Sequence, residues 1–293
     1  MELKYIVDNE NYKIVKDILV SNFNISHRLL VKLKKENAIF LNEKNVGINF
    51  LVNKGDIISV SFSYEEDNSN ILPKKMPLDI ICEDECYIVV NKPAGIPVHP
   101  SMSHYEDSLS NGIRYYFDTI GLKKKIRPVN RIDKDTSGLV VFAKNEYVQE
   151  MLIRQMASKD FKKEYIAIVE GFFDNKKGTI NNPIARKENS IIERCVDECG
   201  QASITHYEVM KEIPHKNISI VKCTLETGRT HQIRVHMSYI GHPLLGDDLY
   251  GGDIELIARQ ALHSYKICFI HPITNKTVTY EAPMPNDLLC IVS

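Results

Sequence analysis

One polar segment, residues 127–144, combines side chains that can carry out acid–base or nucleophilic chemistry. Asp133 and Asp135 lie two positions apart, Arg127 and Arg131 precede them, and an apolar run follows directly. Carboxylates act as nucleophiles and as general acids or bases, and the loops beside strand ends are where a rigid scaffold presents such groups. The segment therefore predicts an active-site loop leading into a strand. From the spacing alone, a charged surface loop before an edge strand is the more common explanation.

A second segment, residues 225–237, concentrates cations and histidines. A helix is predicted to begin near Thr230, after Gly228, and on it His231 and Arg234 share one face. Arginines and histidines this close together can bind a phosphate or hold a carboxylate. A zinc site built on the two histidines is disfavoured, because zinc needs further ligands. A solvated, charged helix face is the alternative.

A third segment is Lys163-Glu164-Tyr165, and Tyr165 begins a run rich in β-branched residues. A tyrosine at the start of a strand usually packs in the core with its hydroxyl at the rim. A catalytic role for it depends on other residues that point to the same site.

Composition narrows the class of protein. The chain has 293 residues, of which 43% are hydrophobic and 26% charged, with a net charge of −1, as expected of an ordinary globular protein. No apolar run reaches the roughly 20 residues that span a bilayer, and the start lacks the pattern of a signal peptide. We therefore expect a cytoplasmic protein with no membrane partner. Because the net charge is near zero, nucleic-acid binding would require cations concentrated on one face.

The seven cysteines are an odd number, which fits a reducing compartment better than a disulfide framework. Two pairs, Cys82/Cys86 and Cys195/Cys199, have a spacing of four. This spacing is loose for zinc, and no matching histidine pair accompanies either one. No metal site is predicted.

The chain is predicted to divide into residues 1–62, a polar linker over 63–76, and residues 77–293. The first unit carries helix-like apolar spacing, with Ser26 as a helix N-cap, and short strands. The last unit mixes many β-rich runs with a few helices. Because strands and helices do not alternate strictly, the predicted fold class is α+β.

Five motifs resemble those of the RluA-type pseudouridine synthases, and they occur in the family's order over residues 77–285. Their concurrence is far more specific than any one motif. The matching residues are Asn91-Lys92-Pro93-Ala94-Gly95 with His99-Pro100, Arg131-Ile132-Asp133 with Thr136-Ser137-Gly138 and Ala143-Lys144, Lys163-Glu164-Tyr165, Gly228-Arg229-Thr230-His231-Gln232, and Arg259-Gln260-Ala261-Leu262-His263 with His271-Pro272.

The resemblance implies a pseudouridine synthase fold with a central, mostly antiparallel sheet, and an RNA uridine isomerase that needs no cofactor. It implies Asp133 as the catalytic aspartate, Arg234 as its basic partner and Tyr165 stacked on the uracil. Arg131 would fill the space that the flipped base vacates. Three further residues are candidate RNA contacts: Lys92, Arg229 and His231.

Residues 1–62 are similar to an S4 RNA-binding domain. Within them, one predicted helix carries a basic cluster that would supply affinity for RNA rather than sequence reading. The cluster is Arg28, Lys32, Lys34 and Lys35. Among RNAs, large-subunit ribosomal RNA is favoured and transfer RNA is the alternative. We expect a monomer.

The family's catalytic motif usually begins with histidine, and here Asn130 stands in its place. Since asparagine does not titrate, an essential proton transfer at this position is disfavoured. Asp133 could attack C1′ of the ribose, attack C6 of the base, or remove the 2′ proton; the sequence leaves all three open. Two other readings are a glycoside hydrolase using Asp133 and Asp135, and a ribosome-binding factor without catalysis.

Overall fold

The computed structural model describes residues 1–9, 11–102 and 104–293. Helices and strands alternate irregularly along the chain, as the α+β prediction requires. The α-helices are α1 (Val15–Ser21), α2 (His27–Lys35), α3 (Leu109–Thr119), α4 (Glu146–Ser158), α5 (Gln232–Tyr239) and α6 (Asn286–Val292). The strands are β1 (Glu2–Ile6), β2 (Ile39–Leu41), β3 (Lys44–Asn45), β4 (Ile57–Ser61), β5 (Asp79–Glu83), β6 (Tyr87–Lys92), β7 (Arg127–Pro128), β8 (Ser137–Ala143), β9 (Lys162–Glu170), β10 (Lys177–Asn181), β11 (Ile184–Arg186), β12 (Arg194–Val196), β13 (Ile204–Ile213), β14 (Ile218–Leu225), β15 (Leu262–Ile270) and β16 (Thr277–Glu281).

A large sheet forms the centre of the molecule. Its strands follow the order β10-β13-β14-β9-β15-β8-β6-β5, with β16 added beside β15 and β7 beside β8. Only the pairing of β15 with β8 is parallel among the strands that the structure describes. The predicted α+β class with a mostly antiparallel central sheet is confirmed.

Strand β8 is buried along its whole length, which explains why its sequence is continuously apolar rather than alternating. Leu139 and Val141 face one core, which they share with α4 and residues 1–62. Val140 and Phe142 face a second core on the side of α3. With both faces covered, this strand is a rigid support for the loop that precedes it.

The parallel pairing of β8 with β15 brings three strands together at one level of the sheet. Gly138 lies beside Ser264, and Ser264 pairs in turn with Tyr165. Gly138 has a φ of +113°, and a Cβ there would lie 2.2 Å from the backbone oxygen of Ser264. Only glycine permits this approach, which sets the end of the Asp133 loop close to Tyr165.

Residues 1–62 form their own four-stranded sheet, in the order β1-β4-β2-β3, covered by α1 and α2. The predicted N-cap of α2 is confirmed, since Ser26 Oγ accepts a hydrogen bond from the Leu29 backbone N–H at 3.2 Å. The apolar core of this unit continues into the large sheet and α4. At the contact, the rings of Phe62 and Tyr147 lie 5.7 Å apart.

Residues 63–76, the predicted linker, contain no helix or strand. They are nonetheless fixed in place, because Asn68 and Ile71 are buried and the Glu66 backbone N–H donates to Lys123 O at 2.9 Å. Their polar composition therefore reflects specific pairing with the large unit rather than free solvation. The division into 1–62, 63–76 and 77–293 stays a prediction.

Candidate active site

Asp133 lies in the loop between β7 and β8, where a turn from Asp133 O to the Thr136 backbone N–H closes at 3.2 Å. Its carboxylate is 26% exposed. Arg234 Nη1 lies 3.3 Å from Asp133 Oδ2, and His231 Nε2 lies 4.0 Å from the same oxygen. The structure thus joins the two charged segments of the sequence around one carboxylate.

Arg234 is itself fixed from behind by Asp247. Its Nε and Nη2 donate to the two oxygens of this fully buried carboxylate, each at 2.7 Å, a bidentate arrangement that sets the plane of the guanidinium. The guanidinium also lies over the ring of Tyr250, 4.9 Å from its centroid. Burial opposes the charge of Arg234, but the hydrogen bonds to Asp247 and its charge outweigh burial and raise the pKa of Arg234. Nη1 is left to face Asp133.

His231 precedes α5 and does not belong to it. Its φ of +58° is left-handed, so the helix begins at Gln232 rather than near Thr230 as predicted. Tyr250 Oη accepts from the Arg194 backbone N–H at 2.9 Å and lies 2.8 Å from His231 Nδ1. Burial lowers the pKa of His231. The Nε2 edge of the ring faces Asp133.

Tyr165 lies on β9 and is 5% exposed. Burial raises the pKa of its hydroxyl, so the side chain stays protonated at neutral pH. It shares a pocket with Asp133, as the resemblance implied. The residues lining this pocket are Arg131, Ile132, Asp133, Thr136, Tyr165, Leu225, Arg229, His231, Gln232, Ile233, Arg234 and Leu262.

The pocket opens into a groove of about 960 Å³, which also includes Asp133 and Tyr165 in its wall. The groove runs past the loop around His99 and the exposed side chain of Arg131.

Sequence reasoning missed a second basic pocket, of about 360 Å³, beside the Asp133 site. It is lined by Arg186, Arg194 and Arg229, and Arg229 borders the pocket of Asp133 as well. Arg229 is exposed and its Nε donates to Ala202 O at 3.1 Å. Arg186 lies on β11 and Arg194 on β12. No local sequence pattern predicts that these two strands pair. Asp247 was also missed, because its only signal is its contact with Arg234.

The prediction that Lys92 contacts RNA is wrong. Its side chain is fully buried, and Nζ donates to the backbone oxygens of Pro93, Ile96 and Lys134 at 2.7–2.8 Å. Burial lowers the pKa of Lys92 to about 7. All three of its donors are used, so this lysine ties the loop after β6 to the residue that follows Asp133.

The prediction that Lys32 belongs to a basic RNA-binding cluster is also wrong. Its ammonium lies 2.7 Å from Glu146 and contacts Glu66, so it belongs to the junction between α2 and the large unit. Arg28, Lys34 and Lys35 are exposed on α2. For these three, a role in RNA binding stays a prediction.

Asn130 is buried and serves the backbone. Its Nδ2 donates to Leu139 O at 3.1 Å and its Oδ1 accepts from the Val141 backbone N–H at 2.9 Å. The side chain thereby acts as an extra rung beside β8 and fixes the start of the Asp133 loop. No proton transfer is needed for this role.

One group of potential metal ligands, Asp84, Cys86 and His271, comes together in the part of the chain that the structure describes. His271 Nε2 donates to Asp84 Oδ2 at 2.9 Å, while its Nδ1 accepts from two backbone N–H groups. Burial raises the pKa of Cys86 to about 12, which keeps the thiol protonated. The group therefore fits a hydrogen-bonded structural cluster, since metal ligands must be deprotonated and free.

Among the described helices, none has the length and hydrophobicity to cross a lipid bilayer. Six of the predicted site residues meet at one pocket made by the Asp133 loop, β9 and the N-terminal end of α5: Arg131, Asp133, Tyr165, Arg229, His231 and Arg234.

Comparison with known proteins assigns the chain to a family. Residues 86–239 match the family model of RNA pseudouridylate synthase. The chain is 43% identical over 250 residues to "Uncharacterized RNA pseudouridine synthase YhcT" of Bacillus subtilis, covering 85% of this chain and 82% of that protein. It is 38% identical over 274 residues to "Ribosomal large subunit pseudouridine synthase D" of Neisseria meningitidis serogroup B, covering 88% and 72%.

A solved structure supports the same assignment. The human protein "RNA Pseudouridylate Synthase Domain Containing 1" superposes with a TM-score of 0.58 at 25% identity, covering 71% of this chain and 83% of that one. The reading as a glycoside hydrolase is therefore wrong. The chain belongs to the RNA pseudouridylate synthases of the RluA type and is an RNA pseudouridine synthase.

Proposed function

We propose that this enzyme isomerises uridine in large-subunit ribosomal RNA and that Asp133 is its catalytic aspartate. The observation that carries the proposal is the position of the Asp133 carboxylate, which stands at the wall of an open groove with Arg234 and His231 directed at one of its oxygens. The name of the Neisseria relative supports ribosomal RNA as the substrate.

The reaction breaks the N1–C1′ bond of uridine, turns the base, and joins C5 to C1′ with loss of the C5 proton to solvent. Asp133 would attack C1′, attack C6, or remove the 2′ proton. In each case the reaction uses the ionised carboxylate, and Arg234 Nη1 lies 3.3 Å from its Oδ2. Because Asp247 fixes Arg234, the carboxylate is oriented before the substrate arrives.

A uridine stacked in an RNA helix must leave the stack to reach Asp133, at a cost of a few kcal/mol. Tyr165 would stack on the extruded uracil, and its neutral hydroxyl can accept a hydrogen bond during loss of the C5 proton. Arg131 is exposed at the rim of the same groove. We expect it to occupy the space that the base leaves.

The RNA backbone would continue over the basic pocket of Arg186, Arg194 and Arg229, because arginines bind phosphates through paired hydrogen bonds. Residues 1–62, as an S4-like unit, would add affinity through the exposed cations of α2. The protein would act as a cytoplasmic monomer, which sedimentation at working concentration can test.

Tritium release tests the proposal. The purified protein is incubated with uridine-C5-tritiated large-subunit ribosomal RNA and transfer RNA, with Asp133→Asn as the control. Release from ribosomal RNA by the wild type alone is the expected result. Release from transfer RNA alone would mean that transfer RNA is the substrate instead. Equal release by the variant would show that Asp133 is not the catalytic aspartate. No release from either RNA would favour a ribosome-binding factor that does not catalyse the reaction.

A further inference from the structure

Lys163 is a buried cation without a counter-charge. The residue is 9% exposed on β9, whereas its neighbour Lys162 is exposed. Among residues 1–9, 11–102 and 104–293, no carboxylate oxygen lies within 4.0 Å of its ammonium and no hydrogen bond from it is formed. The other buried cations differ, since Arg234 is paired with Asp247 and Lys92 donates to three carbonyls.

The Lys163 side chain is directed into the groove of Asp133. It lines that groove together with Tyr165, which lies two residues along the same strand and on the same face. A Cβ added at Gly228 would lie 3.1 Å from Lys163 Nζ, so the ammonium rests against the Gly228 backbone. Glu226 also lines the groove, but its carboxylate is occupied by Lys159 and His206.

Burial of the side chain carries a cost for the charged form and lowers the pKa of Lys163, while the ammonium itself reaches the open groove. An anion entering the groove would offset that cost. The substrate carries such an anion at every nucleotide, and Lys163 lines the same groove as Asp133, which the target uridine has to reach. We propose that Lys163 binds a phosphodiester of the RNA next to the target uridine, an assignment that rests on the proposed function.

The test compares Lys163→Met with Lys162→Met, which removes the same charge from the adjacent exposed position. Filter binding to transcribed large-subunit ribosomal RNA is measured from low to high salt, and tritium release gives kcat and KM. For Lys163→Met we expect KM to rise about tenfold with little change in kcat. The slope of log affinity against log salt should fall by about one. Lys162→Met should match the wild type.

The thermal midpoint separates binding from folding. Because Lys163→Met removes a charge that has no counter-charge from a largely buried side chain, its midpoint should equal or exceed that of the wild type. A lower midpoint in both Lys163→Met and Lys163→Gln would assign Lys163 a structural role and overturn the proposal. So would an unchanged salt slope, or a loss confined to kcat. If the wild type releases no tritium, the proposed function fails, and the binding series still decides whether Lys163 contacts RNA.

Discussion

Two regions of this molecule bury charge, and they do so in opposite ways. At the junction of α2, residues 63–76 and α4, every buried charge has a partner: Arg127 donates to both oxygens of Glu66 at 2.7 and 2.6 Å and to Glu146 at 3.2 Å. Lys32 completes the group. In the groove of Asp133, Arg234 is paired, but the largely buried Lys163 has no counter-charge and Arg131 is exposed at the rim.

The paired charges at the junction serve stability, whereas the unpaired cations of the groove fit a role in binding. In a fully paired cluster every charge already has a partner, and the cluster holds two units together. A ligand that bound there would therefore gain no new charge pairing. A cluster with unpaired cations is satisfied only when an anion arrives. Within the described residues, the groove is where the chain tolerates this imbalance, which is consistent with a polyanionic substrate.

The largest expected effect comes from Asp133→Asn, which keeps the size of the side chain and removes its charge. We expect tritium release to fall to background while the thermal midpoint changes little, because Arg234 remains paired with Asp247 and the replaced group is partly exposed. Activity and thermal unfolding are measured on the same preparation. A large fall of the midpoint would mean that Asp133 belongs to the structural class of charges.

Asp247→Asn should combine both effects, because Asp247 is fully buried and sets the plane of Arg234. The free energy of unfolding should fall by about 3 kcal/mol, and kcat should fall about a hundredfold as Arg234 loses its orientation. Urea unfolding and single-turnover kinetics provide the two measurements. Asp248→Asn, at the exposed neighbouring position, is the matched control. Unchanged kcat in a folded Asp247→Asn protein would contradict the positioning role.

Glu66→Gln should weaken the junction without touching the chemistry. The side chain of Glu66 is 2% exposed, so its loss should lower the free energy of unfolding by about 3 kcal/mol and leave kcat unchanged. Glu65→Gln, whose partner Lys123 is solvent-exposed, should change it by less than about 1 kcal/mol. A fall of kcat in Glu66→Gln at constant stability would show that the junction acts on the active site.

The stabilisation that Glu66 contributes should also depend on pH. Burial raises the pKa of Glu66, but hydrogen bonds from Arg127 and Lys32 outweigh burial and lower it from 4.5 to about 2. Because the folded-state pKa is depressed, the stabilisation is complete above pH 4.5 and is lost as the pH falls toward 2. The difference in unfolding free energy between wild type and Glu66→Gln should therefore be constant from pH 7 to about 4.5 and shrink below it.

The smallest effect is expected from Asn130→Ala. Loss of the two hydrogen bonds to β8 should lower the free energy of unfolding by about 1–3 kcal/mol. The shape of the pH profile of kcat should stay as in the wild type, since asparagine does not titrate. A changed profile at unchanged stability would assign Asn130 to the chemistry instead of the support of the loop.

The sequence by itself determined the family and the fold class, and it indicated the Asp133 loop as the candidate active site. Arg131-Ile132-Asp133 and the four accompanying motifs are short sequence motifs, and their order can be recognised without any knowledge of contacts. The apolar run of β8 likewise predicted a strand directly after that loop, and its burial on both faces came from the structure. Such features are readable because they depend on neighbours in the chain.

Only the tertiary structure decided which charges are paired. Lys92 and Lys163 look alike in sequence, yet one ammonium is enclosed by three carbonyls and the other faces the groove. Lys32 was assigned to RNA but pairs with Glu66, 34 residues away. Pairing depends on groups far apart in the chain meeting at hydrogen-bonding distance, and residue type alone does not encode that meeting.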